Sequence, residues 1–180
     1  MYDGLLGTSP PDGTVVQNLD ADYSLESQAA YIIGGSAYFA RADNNNSTFV
    51  TNVYRQLLQR DPAQWERDAA VEELNGYWRW VSQPCPPECF VGCEPPPGDC
   101  GWWEWYQKTR DEFAWQIVSS HEFHQAGAKM LVYGKHLRRD GTATEIENLA
   151  YYMDSTGRVL EGAVSILRLD EFYNKSIQPW

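Results

Sequence analysis

The strongest constraint on this chain is an internal recurrence. Val53-Tyr54-x-x-x-Leu58-x-Arg60-Asp61 returns as Val132-Tyr133-x-x-x-Leu137-x-Arg139-Asp140. Three segments also close alike, each running from an apolar helical turn to a phenylalanine at Phe39, Phe123 or Phe172. Forty-nine residues separate Phe123 from Phe172, but 84 separate Phe39 from Phe123. A period of about 50 residues predicts helical units that share a core, the first of them expanded by an insertion. The three phenylalanines then become buried equivalents, and Tyr54 and Tyr133 should lie in matching environments.

Local signals are helical. Thr142-x-x-Glu145 reads as a capping box, followed by Ile146, Leu149, Ala150 and Met153 at helical spacing. Asp61-Pro62 reads as an N-cap and first-turn proline, and Thr156-Gly157 as a glycine stop. Phe49, Val53, Tyr54, Leu57 and Leu58 make one wide apolar face. No alternating run reads as a convincing strand. The predicted fold is all-α: two to three diverged helical repeat units of about 50 residues packed as one bundle, with an irregular disulfide-stapled loop. Residues 1–23 form an N-terminal extension and 24–180 the repeat domain. Within it lie a partial unit at 24–41, an expanded unit at 47–127 with its insertion near 76–106, and a second unit at 128–176.

All four cysteines, Cys85, Cys89, Cys93 and Cys100, fall inside the insertion among five prolines and two glycines. Such a stretch is neither helix nor central strand, and it keeps high conformational entropy unless it is tied down. Zinc knuckles favour C-x2-C or C-x4-C pairs, whereas the spacings here are three, three and six. Two disulfides fit better than a zinc or iron–sulfur site or free thiols, and three pairings stay open. Disulfides imply an oxidising compartment, secreted or at the cell surface.

Taken together, several motifs resemble one bacterial family. They are Ser36-Ala37-Tyr38-Phe39, the turn Asn44-Asn45-Asn46, and Phe49-Val50-x-x-x-Tyr54-x-x-Leu57-Leu58-x-Arg60-Asp61-Pro62. Ser120-His121-Glu122-Phe123 and Asp170-Glu171-Phe172 supply its closing motif. The chain resembles the family called domain of unknown function 4214 over roughly residues 24–176, interrupted by the insertion. That family is itself similar to the helical repeat domain of phycobilisome linker proteins. The resemblance implies a helical, secreted or surface-attached bacterial module, and it supplies no catalytic residue. The chain departs from the family pattern in having Gln59 where glycine is usual, and Leu169 where serine is usual.

Asp plus Glu total 25 against 14 Lys plus Arg, a formal charge of −11 that disfavours nucleic acid as a partner. No apolar run reaches the ~18 residues of a membrane span. The start, Met1 to Gly7, has neither the basic region nor the apolar core of a signal peptide. Nucleophile elbows, phosphate-binding loops and dinucleotide fingerprints are missing, so no enzyme, cofactor or metal is expected. His121 and His124 stand at metal-ligand spacing beside Glu122, but without H-E-x-x-H they read better as hydrogen-bonded boundary residues. Asp140-Gly141-Thr142 lacks the rest of a calcium loop.

The eight tryptophans are the unusual feature, and Trp78, Trp80, Trp102, Trp103 and Trp105 flank the cysteine segment. Some should pack beneath the loop and others form a contact patch. The expected function is a non-catalytic assembly or interaction module whose partner is another protein or a copy of itself. A carbohydrate-binding module using the aromatic cluster, or an accessory domain of a larger extracellular protein, are the alternatives.

Overall fold

The computed structural model describes residues 24–83, 100–156 and Val164. These residues are mostly helical. Helices α1 (Leu25–Gly34), α2 (Ser36–Ala40) and α3 (Asn46–Val53) come first, and α3 continues into a π-helical turn, Tyr54–Leu58. Next are α4 (Gln64–Asn75), strands β1 (Tyr77–Gln83) and β2 (Cys100–Tyr106), and α5 (Arg110–Val118). Helix α6 (His121–Gly127) runs into a second π-helical segment, Ala128–His136, before α7 (Ala143–Thr156).

Polar side chains cap α1, α3, α5, α6 and α7. Ser27 N–H donates to Ser24 Oγ at α1, Thr48 N–H to Asn45 Oδ1 at α3, and Phe123 N–H to Ser120 Oγ at α6. Thr142 and Glu145 form the predicted box, with bonds of 3.3 and 2.8 Å in the two directions, and Thr109 and Glu112 form another at α5. The expectation for Asp61-Pro62 shifts by two residues. Helix α4 is capped at Ala63, whose N–H donates to Glu66 Oε2 at 2.7 Å, while Asp61 pairs with Arg55.

Helix α1 packs on α5, α3 on α4, and α6 on α7. One core centres on Phe49, which is fully buried and has the rings of Tyr38, Phe39 and Phe113 each 5.8 Å from its own. A ring so enclosed contributes roughly 2–3 kcal/mol by burial. A second core gathers Val132, Tyr133, Leu137, Leu149 and Met153. Phe123 touches both cores but, like Phe39, is only partly buried, so neither is the buried lock the sequence suggested. Phe172 lies outside the described residues.

The sheet is small, the antiparallel pair β1–β2 in register from Tyr77↔Tyr106 to Gln83↔Cys100, in a stretch where no run reads as a convincing strand. Tyr, Trp and Val favour strands, but aromatic residues occupy both faces, which erases the polar–apolar alternation that would have marked one. Helix α4 stops at Gly76, whose φ of +85° suits glycine and turns the chain into β1. Cys85, Cys89 and Cys93 lie outside the described residues, Cys100 opens β2, and no disulfide is found among the described residues.

Candidate functional site

Strand pleating sorts the hairpin's aromatic side chains. Trp78, Trp80, Trp103 and Trp105 share one face, and Trp102 stands on the other with Tyr77, Arg79, Val81, Glu104 and Tyr106. The strands therefore separate the sequence-predicted set four to one. Across the ladder, Trp78 meets Trp105 with ring centres 5.7 Å apart and planes at 71°. Trp80 meets Trp103 at 5.6 Å and 67°. Edge-to-face pairs of this kind add about 0.5–1.5 kcal/mol each beyond the area they bury.

Most of this aromatic surface stays in water: Trp78 is 62% exposed, Trp103 63% and Trp105 52%. Trp80 is the deeper member. Its ring lies over Gly101, where a Cβ would stand 2.7 Å from Trp80 Cε2, and its indole N–H has no acceptor among the described residues. On the opposite face, Arg79 binds Glu104, with Nε to Oε1 at 2.7 Å, and lies 4.2 Å from the centre of the Tyr106 ring.

The base of the hairpin is tied to the helices. Gln107 Nε2 donates to Leu74 O and Lys108 N–H to Glu73 O, both at 2.9 Å. Lys108 Nζ binds the Glu73 carboxylate and donates to Gln116 Oε1 at 2.7 Å. The aromatic face is thus carried on the junction of α4 and α5.

Two other clusters are structural in character. Arg60 holds Glu66 through two bonds of 2.7 Å, takes Glu122 of α6 with its other edge, and lies 5.0 Å above the Tyr54 ring. Arg139 grips Glu145 at 2.9 and 2.6 Å and lies 4.9 Å above the Tyr133 ring. In each case an arginine just past a left-handed residue, Gln59 or Arg138, reaches the carboxylate that caps the following helix. The guanidinium holds Glu66 below the usual carboxylate range. Glu145 falls to about 2, through Arg139 first and then the Thr142 backbone. The recurring Val-Tyr-x-x-x-Leu-x-Arg-Asp stretches therefore build the same local geometry twice.

His121 and His124 converge on one carboxylate of α7. Their Nδ1 atoms lie 2.5 Å from Asp154 Oδ2 and Oδ1, while Glu147 Oε2 lies 3.3 Å from His121 Nε2. Asp154, then Glu147, push the His121 pKa upward against the effect of burial. Burial alone would raise Asp154, but the two histidines outweigh it and keep the carboxyl below its ordinary range. No group of three or more such side chains among the described residues has the geometry to hold a metal. Sequence spacing pairs the two histidines, but nothing local marks their partner Asp154, thirty residues beyond His124.

Among the described residues no helix is long and apolar enough to cross a membrane. No protein-family model, curated protein or solved structure matches the chain.

Proposed function

We propose that this chain is a non-catalytic contact module of a secreted or cell-surface protein. In this reading two to three diverged helical units form a scaffold, a disulfide-tied loop completes the insertion, and the tryptophan face of the hairpin meets a partner protein. The carrying observation is that face: three tryptophans more than half exposed, side by side on a tethered hairpin. Exposed aromatic clusters of this kind mark interaction sites, and tryptophans desolvated at an interface contribute disproportionately to affinity.

A partner protein suits this geometry better than a sugar chain. Rings inclined by 67° and 71° offer edges and faces in alternation, not the coplanar strip on which successive sugar rings would stack.

The test is photocrosslinking in the cells that make the protein, from position 82. Ser82 lies at the end of the tryptophan face and leaves all four rings in place. The expected product is a protein adduct from position 82 that a crosslinker at exposed Ala69 on α4 does not give. Adducts to polysaccharide alone would establish the glycan reading, and no adduct at all would remove the module reading.

A further inference from the structure

Resting on that contact reading, we infer that the partner on the tryptophan face is a second copy of this chain, packed hairpin against hairpin about a two-fold axis. Charge sets where a second copy can approach. The chain carries −11, yet the fourteen strand residues contain only Arg79 and Glu104, which neutralise each other on the far face. Two copies therefore repel over most of their surface and not across the tryptophan ladder.

The ladder also suits itself. Its two rungs, Trp78–Trp105 and Trp80–Trp103, have nearly the same ring spacing and tilt. A two-fold axis through the middle of the face would set each rung of one copy against the other rung of its mate, the self-complementary arrangement an isologous dimer requires. A lone two-stranded sheet is marginal in water, so a covering layer would also stabilise the hairpin itself.

Area sets the strength. Taking roughly 250 Å² for a whole tryptophan, the exposed fractions of Trp78, Trp103 and Trp105 leave roughly 440 Å² per copy, or about 900 Å² for a pair. That falls below the ~1,200 Å² of stable complexes and places the dimer among reversible, transient ones.

Sedimentation velocity on the full chain tests this, from about 10 μM to about 1 mM, at low salt and again at about 0.5 M salt. The mass should rise from the 20.6 kDa monomer toward twice that value, and the rise should begin at lower protein concentration in high salt, where the mutual repulsion is screened. The double variant Trp78→Ser/Trp103→Ser should stay monomeric throughout. Trp102→Ser, on the opposite face, should associate as the parent does, and amide hydrogen exchange over 77–83 and 100–106 in the double variant should match that of Trp102→Ser, which excludes loss of the hairpin as the cause. Association that weakens with salt, or that survives the double variant, or that Trp102→Ser alone abolishes, would overturn the inference. A parent chain monomeric under every condition would overturn it too, while a crosslink from position 82 to a different protein would leave the contact module standing.

Discussion

Gln59 offers a test in which the sign of the effect, not just its size, is fixed by the backbone. It follows the π-helical turn Tyr54–Leu58 with φ 58° and ψ 30°, the left-handed region that favours glycine. A Cβ there costs about 1–2 kcal/mol that glycine avoids. Against this, glycine gives the unfolded chain extra freedom worth roughly 0.4–1 kcal/mol. The 2.9 Å bond from Gln59 Nε2 to Gln56 O is lost in both Gln59→Ala and Gln59→Gly, so it cancels between them. Glycine should therefore be the more stable of the two by roughly 0.5–1 kcal/mol.

Exposed Ala69 in the interior of α4 serves as the control. There Ala69→Gly should cost about 1 kcal/mol, the ordinary helix penalty, so the preference inverts between the two sites. Urea unfolding followed by helical circular dichroism resolves differences of this size, and for a chain of this length 1 kcal/mol corresponds to about 2–4 °C in Tm. If alanine is favoured over glycine at both positions, the left-handed turn at Gln59 is wrong, and with it the route by which Arg60 reaches Glu66.

Phe49→Ala should cost about 3–5 kcal/mol by urea unfolding, and Phe39→Ala and Phe123→Ala distinctly less, because those rings are partly in water. Arg60→Met should cost about 2 kcal/mol in the same assay, since it leaves Glu66, only 14% exposed, without its cation; the guanidinium's own 36% exposure keeps the figure modest. The raised pKa of His121 gives stability that is complete below the ordinary histidine value of 6.5 and is lost as pH rises through the higher folded value. A pH series of urea midpoints should show that alkaline loss, and His121→Gln should flatten it. The depressed Glu145 acts with the opposite sign: its contribution is complete above 4.5 and fades as pH falls toward about 2, so Glu145→Gln should lose that acid dependence.

What could be read from the sequence was whatever depends on short spacing. Tyr54 with Arg60 and Tyr133 with Arg139 build alike because every backbone step between them is local. The capping glutamate Glu145 was legible in the same way, but Glu66 was not, because Asp61-Pro62 reads as the cap and the helix starts two residues later at Ala63. Glu122 could not be matched to Arg60 from spacing, since 62 residues and a hairpin intervene and only packing of α6 against the π-helical turn joins them. The histidines were visible as a pair, but Asp154 is one of 25 acidic residues, and nothing local singles it out. The hairpin was hidden for another reason. Consecutive Trp102 and Trp103 look irreconcilable with one buried face, and they are, because a pleated strand sends them to opposite faces and leaves both half in water.

The placement of that hairpin bears on why so few residues could carry binding. Contact made by a mobile segment loses part of its interaction energy to ordering. Here the rings are ordered beforehand: Gly76 fixes the exit from α4, seven cross-strand pairs hold the register, and Lys108 ties the return strand to Glu73 and Gln116. Tryptophan itself has only two side-chain torsions to restrict, and the edge-to-face pairs already restrict them. A face of about 440 Å² built from such groups can bind measurably where the same area of lysine and glutamate would not. In the proposed dimer the net negative charge has a complementary part: mutual repulsion is weakest where the two near-neutral hairpin strands meet, so charge would bias orientation while the rings supply attraction.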